Sequence, residues 1–250
     1  MNKILWLPRL LYKIYFLVMW IFSFLVLYPL FYWSTAKESR FIHTLHQIKF
    51  WAKFQLVVCG IRVKTIGVGN IPLDRPFILC ANHTSYLDII IMYRIMPKLF
   101  VMMGKGEIKD WPLINRFFTT GMNILVHREN NKLAHRALEE AKSRLDKGHN
   151  IVIFPEGGIP DHNTPKMKGF KNGAFKMAIE KQVPILPMTF QTNWKVLQAA
   201  DGLNGRAAPG LSRVIFHEPI ETKGLTMEDM IDLRAKTRDI IAGPLEQYYS

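Results

Sequence analysis

Residues 14–33 form a stretch of twenty residues without a formal charge, including Ile-Tyr-Phe-Leu-Val-Met-Trp-Ile-Phe and Phe-Leu-Val-Leu-Tyr. A helix rises about 1.5 Å per residue, so about 20 apolar residues cross a hydrocarbon core. The run is predicted to be embedded in a membrane. It is too long for the core of a cleaved signal peptide, and no small-residue cleavage site follows it. Pro29 interrupts the run. Lys3, Arg9 and Lys13 precede it and Lys37 and Arg40 follow it, so the positive-inside rule gives no orientation.

A second helix is predicted over residues 41–56. Phe41, Leu45, Ile48, Trp51, Ala52 and Leu56 recur at spacings of three and four, with His43, Lys49 and Lys53 between them. Such a helix lies on a membrane surface or against the rest of the protein. Residues 1–60 thus read as membrane-associated helices, either spanning the bilayer or forming a hairpin sunk into one leaflet.

From about Gly60 the pattern changes. Short apolar runs at residues 76–80, 99–103, 123–126, 150–154, 184–190 and 213–216 read as strands. Helical stretches fall at 132–147, which Gly148 terminates, at 172–182, and from Thr226, capped with Asp229, to about Ala242. The alternation predicts an α/β layer structure over residues 61–250. The whole chain has 250 residues, enough for one domain of this kind plus an accessory segment.

The 33 Lys and Arg against 20 Asp and Glu leave a net charge of +13, which favours polyanionic partners. Beside an apolar N-terminus the expected partner is an anionic membrane surface, not nucleic acid. Cys59 and Cys80, the only two cysteines, have no metal-type spacing and read as reduced thiols. Cys80, three residues before His83, is read as a packing residue rather than a nucleophile. His43 and His46 lack nearby partners of ligand type, so no metal site is expected.

The chemistry-bearing candidate is Asn82-His83-Thr84-Ser85-Tyr86-Leu87-Asp88, directly after a predicted strand, where α/β sheets commonly place functional groups. Within one helix, His83 and Asp88 would be about 140° apart and could not meet. With His83 in a loop and a helix starting near Ser85, the Asp88 carboxylate can fold back onto one ring nitrogen. The other nitrogen is then left as a base. A capping box beginning at Ser85 would equally use Asp88 for backbone donors alone.

Four ordered blocks across residues 71–219 resemble the glycerolipid acyltransferases, specifically the 1-acyl-sn-glycerol-3-phosphate acyltransferase family. The first is the His83-x4-Asp88 block. The second joins Lys105-Gly-Glu-Ile-Lys-Asp-Trp-Pro112 to Asn123-Ile-Leu-Val-His-Arg128. The third is Phe154-Pro155-Glu156-Gly157, and the fourth is Val183-Pro-Ile-Leu-Pro187-Met-Thr-Phe190. The resemblance implies a single acyltransferase domain with a mostly parallel mixed sheet flanked by helices. It implies His83 as general base oriented by Asp88, Lys105 and Arg128 as phosphate ligands, and Glu156 and Gly157 lining the acceptor site.

It further implies transfer of a fatty acyl group from acyl-carrier protein or coenzyme A to the hydroxyl of 1-acylglycerol 3-phosphate. No metal or redox cofactor is needed, and the expected location is the cytoplasmic face of a cell inner membrane. The chain departs from the family at two places. Similar enzymes continue Glu-Gly-Thr-Arg, where this chain has Gly158 and Ile159, and Met122 stands where the Arg-ended block usually opens with Gly. Lys166, Lys168 and Lys171 follow within a Gly- and Pro-containing stretch and either replace the lost charge or form a solvated loop or a lipid-headgroup contact. The missing Arg also leaves open a phosphate-free lyso-aminoacyl lipid as acceptor. A non-enzymatic basic membrane-surface protein that binds nucleic acid or anionic lipid is the more distant alternative.

Overall fold

The computed structural model describes residues 6–160 and 165–249; Lys3 lies outside them. Helix α1, Trp6–Ser34, runs through Pro29 without a break. The hydrogen bond lost at Pro29, which has no amide N–H, does not end the helix because the other backbone groups have no better partner in an apolar setting. After a short 3-10 turn at Glu38–Arg40, helix α2, Phe41–Val58, packs back along α1.

One stripe of α1 carries Leu7, Leu11, Ile14, Val18, Phe22, Leu25 and Val26, all exposed, while Phe16, Phe24 and Phe31 on the other side are buried. The buried stripe meets α2 through aromatic contacts: Trp51 sits edge-on to Trp20 at 6.0 Å and to Phe24 at 5.3 Å. Polar atoms within this apolar layer are paired internally, with Trp51 Nε1 donating to Ser23 Oγ at 3.0 Å and Gln55 Nε2 donating to the Phe16 carbonyl at 3.1 Å.

The remaining chain builds a seven-stranded sheet. Its strands are β1 (Ile61–Ile66), β2 (Ile78–Ala81), β3 (Phe100–Lys105), β4 (Ile124–Val126), β5 (Asn150–Ile153), β6 (Ile185–Phe190) and β7 (Gly210–Phe216), in the order β1-β7-β6-β2-β5-β3-β4. Every neighbouring pair is parallel except β6 and β7. The sheet is therefore mixed and mostly parallel, as expected.

Strand β1 is absent from the sequence-based strands. It is an edge strand with only Ile61 buried, so Ile-Arg-Val-Lys-Thr-Ile shows no continuous apolar run. The central strands are covered on both faces and read as apolar throughout.

The pleat sorts side chains between two cores. Leu79, Ala81, Met102, Val152 and Leu186 face a core shared with α1, α2 and α3 (Leu87–Ile95). Ile78, Cys80, Val101, Ile151 and Ile185 face the other core, shared with α5 (Asn131–Asp146), α6 (Gly173–Lys181) and α8 (Met230–Ala242). Short helices α4 (Arg116–Thr119) and α7 (Asn193–Val196) complete the set. Phe117 of α4 reaches the hairpin edge-on, 5.9 Å from Phe24 and 5.4 Å from Phe31.

The helix ends follow their local chemistry. The Asn130 side chain accepts from Leu133 N at 3.1 Å to start α5. Thr226 and Asp229 form the reciprocal capping box before α8.

Candidate active site

Five parallel strands end on one edge of the sheet, and each ends in or is followed by a polar residue of interest. In spatial order they are β6 (Asn193), β2 (His83), β5 (Glu156), β3 (Lys105) and β4 (Arg128). This is the edge where open α/β sheets hold their ligands.

His83 lies in the loop between β2 and α3, and Asp88 lies in the first turn of α3. The helix starts at Leu87, two residues later than expected, which leaves the chain from 82 to 86 free to turn. Asp88 has no exposed surface, and His83 Nδ1 is 2.9 Å from Asp88 Oδ2. The same oxygen accepts from Thr84 N at 2.7 Å and Ser85 N at 2.9 Å. Three donors converge on Oδ2, so Nδ1 supplies its proton and Nε2 keeps a lone pair. The two readings of Asp88, backbone acceptor and histidine partner, hold together.

Nε2 has no hydrogen bond to any described residue. The imidazole stacks on Phe154 with ring centroids 4.1 Å apart. Phe154 therefore fixes the ring plane, while the side chain keeps 12% of its surface exposed.

Asn82 anchors the loop from behind. Its side chain exchanges two hydrogen bonds with the backbone of Phe190, donating at 3.1 Å and accepting at 2.7 Å, and so extends the β2–β6 pairing by one residue. Ser85 Oγ accepts from Leu87 N at 3.0 Å and donates to the Leu197 carbonyl.

Glu156 ties the third block to the first. Its Oε1 accepts from His83 N at 2.8 Å and its Oε2 from Lys168 N at 2.7 Å. Burial pushes its carboxyl pKa up to about 7 despite those two backbone donors, and the nearby Asp88 adds to the rise.

Gly157 has φ +79°, and a Cβ there would lie 2.9 Å from Lys171 Cε; Gly158 has φ +155°. Only glycine takes such a turn without strain. A Cβ on Gly158 would meet Arg128 Nη1 at 3.7 Å. The Gly157-Gly158 turn is thus flanked by the Arg128 and Lys171 side chains.

Arg128 is partly buried, and burial lowers its pKa while Glu107 opposes the shift. Lys105 is more than half exposed and pairs with Glu107 at 2.8 Å. Lys168 Nζ donates to the Ile159 carbonyl at 3.1 Å, and Lys166 is exposed. Cys80 is completely buried on the opposite face of β2 from Leu79 and Ala81, and burial raises its thiol pKa. Its packing role agrees with the sequence reading.

Sequence reasoning missed Asn193 and the position of Lys171. The available signal for Asn193 was a polar run, Gln191-Thr192-Asn193, directly after the apolar strand β6.

The protein-family model described as Acyltransferase matches residues 62–191, which hold all four blocks. The chain belongs to the acyltransferase family. This acyltransferase is 27% identical over 216 residues to a putative 1-acyl-sn-glycerol-3-phosphate acyltransferase, acl-2, of Caenorhabditis elegans, covering 84% of this chain and 71% of that protein. Its identity to the 1-acyl-sn-glycerol-3-phosphate acyltransferase of Saccharomyces cerevisiae is 27% over 192 residues, 76% of this chain and 62% of that protein. A lyso-ornithine lipid O-acyltransferase of Rhizobium meliloti is 29% identical over 131 residues, 52% of this chain and 42% of that protein. The crystal structure of the 1-acyl-sn-glycerophosphate acyltransferase PlsC of Thermotoga maritima superposes with a TM-score of 0.73 at 23% identity, covering 96% of this chain and 98% of that one. The fold is shared.

Proposed function

We propose that this acyltransferase moves a fatty acyl group from a thioester of coenzyme A or acyl-carrier protein to the sn-2 hydroxyl of 1-acyl-sn-glycerol 3-phosphate, forming phosphatidic acid. The observation that carries the reading is the His83–Asp88 pair at the edge of the sheet, its Nδ1 engaged and its Nε2 without a hydrogen-bond partner among the described residues.

Nε2 takes the proton of the acceptor hydroxyl as its oxygen attacks the thioester carbonyl. The new carbon–oxygen bond forms, the carbon–sulfur bond breaks, and the leaving sulfur recovers the proton from the imidazole. Asp88 holds the tautomer throughout. General-base help of this kind contributes about 10²–10⁴-fold, and the thioester brings the remaining reactivity.

The headgroup lies toward Arg128 and Lys171 at the Gly157-Gly158 turn, with Glu156 holding the turn against the His83 loop. Arg supplies two parallel donors to a phosphate and Lys a movable charge. Lys171 compensates for Ile159. Lys105, held by Glu107, is an outer contributor.

Residues 1–60 anchor the protein and 61–250 catalyse, with the site at the cytoplasmic face of the inner membrane. The exposed stripe of α1 supports the anchoring.

The second reading, a phosphate-free lyso-aminoacyl acceptor, is favoured by Ile159 and by the relative from Rhizobium meliloti. Membranes containing the protein, given labelled acyl donor and either lysophosphatidate or lyso-ornithine lipid, separate the two by product mass. Phosphatidic acid should form, and His83→Ala should abolish it. Lys171→Ala should raise the KM for lysophosphatidate about 10-fold or more, the worth of a charge-assisted hydrogen bond. Full turnover by His83→Ala refutes the mechanism, and preference for the ornithine acceptor replaces the substrate.

A further inference from the structure

We propose that Asn193, itself held by Ser212, is a positioning residue that fixes the plane of the Asp88 carboxylate and, through it, the imidazole of His83. The proposal rests on the reading of His83 and Asp88 as the reacting pair. Both Asn193 and Ser212 lie beyond the residues matched by the family model, which end at 191.

Three donors share Oδ2 of Asp88, but among the described residues Oδ1 has a single partner. That partner is Asn193 Nδ2, at 2.7 Å. The terminal torsion of an aspartate is broad and roughly two-fold. It does not by itself hold the carboxylate plane, and a bond to the second oxygen does.

The Asn193 amide must therefore present its NH2 end, because its carbonyl end would set two acceptors against each other. Ser212 Oγ supports that orientation by donating to Asn193 Oδ1. Asn193, Ser212 and Asp88 all have no exposed surface, so bulk water does not compete for these partners.

The two residues come from different elements. Asn193 opens the helical turn after β6, and Ser212 lies on β7, the antiparallel neighbour of β6. The same post-β6 segment grips the His83 loop a second time, since the Leu197 carbonyl accepts from Ser85 Oγ. A buried polar chain, Ser212 to Asn193 to Asp88 to His83, thus runs from the β6–β7 pair to the reacting nitrogen.

The test uses the full chain in lipid–detergent micelles with lysophosphatidate and acyl-coenzyme A, measuring kcat, both KM values and the unfolding temperature. Asn193→Leu keeps the volume and removes the donor. Its kcat should fall 10- to 100-fold with both KM values within twofold of wild type. Ser212→Ala should lower kcat 3- to 10-fold, and Ser212→Thr, which keeps the hydroxyl, should restore it. In the Asn193→Leu background, Ser212→Ala should have no further effect.

Wild-type kcat in folded Asn193→Leu overturns the proposal, as does a KM that rises in step with the loss of kcat. If Asn193→Leu fails to fold, equal kcat in Ser212→Ala and Ser212→Thr overturns it instead. His83→Ala, measured alongside, separates the failures. An active His83→Ala removes the underlying pair, whereas an inactive one beside fully active Asn193→Leu removes only the role of Asn193.

Discussion

Replacing Glu156 with Gln should reverse sign in its effect on stability as pH rises. Both carboxylate oxygens accept backbone N–H groups, from His83 at 2.8 Å and Lys168 at 2.7 Å. A glutamine has one carbonyl oxygen, so one of those N–H groups would face an NH2 instead, at a cost of about 1–3 kcal/mol at any pH. The wild-type carboxyl behaves differently. Burial lifts its pKa from 4.5 to about 7, which corresponds to about 3 kcal/mol at about 1.36 kcal/mol per pKa unit.

Between pH 4.5 and about 7 the native state keeps a proton on Glu156 that the unfolded chain has released. Stability therefore falls as pH rises across this window and levels off above it. Glu156→Gln has no such proton to lose. It should be less stable than wild type near pH 4.5, and the gap should close or invert by about pH 7.5.

For a chain of this size about 1 kcal/mol moves the melting temperature by about 2–4 °C, so the difference between the two proteins should swing by about 6–12 °C. Thermal unfolding in micelles at half-unit steps of pH measures it. Parallel curves for the two proteins would show that Glu156 does not titrate in this window, and the argument from burial would fail.

Gly157→Ala should destabilise by about 1–2 kcal/mol from its left-handed backbone, and displacement of Lys171 should raise the KM for the acceptor while leaving the donor KM unchanged; unaltered kinetics would detach the turn from the headgroup. Phe22→Asp with Val26→Asp, both on the exposed stripe of α1, places two carboxylates where each costs about 2.5–3.5 kcal/mol at mid-membrane. Vesicle flotation should then lose the protein, and undiminished flotation would put that stripe outside the lipid.

The central strands and the α/β class were legible because strands covered on both faces leave continuous apolar runs, as in residues 150–154 and 184–190. Edge strand β1 lacked that signal, since one buried residue in six imprints no run. Pro29 read as an interruption because local propensity weighs heavily in water and less where no competing partner exists for the backbone.

At the site, His83, Asp88 and Glu156 could be picked out because their spacing and order along the chain carry the resemblance. The geometry agrees in bringing Glu156 against the His83 backbone. Asn193 escaped because its partners are 105 residues away at Asp88 and 19 residues away at Ser212. A lone polar residue after a strand announces nothing until the sheet order makes β6 the neighbour of β2. Lys171 was one of three candidate lysines, and only the turn at Gly157 distinguishes it.

The aromatic joint formed by Phe24, Phe31, Trp51 and Phe117 bears on how such a protein meets its substrate. A domain on a flexible tether swivels, and each encounter with a lipid must find the right orientation afresh. Here the inner face of α1 is part of the same core that supports β2 and α3. Embedding the helix therefore sets the tilt and height of the whole sheet. With α1 embedded, every copy would present the same edge at the same level of the bilayer, and the search for an acceptor would reduce to lateral diffusion in two dimensions.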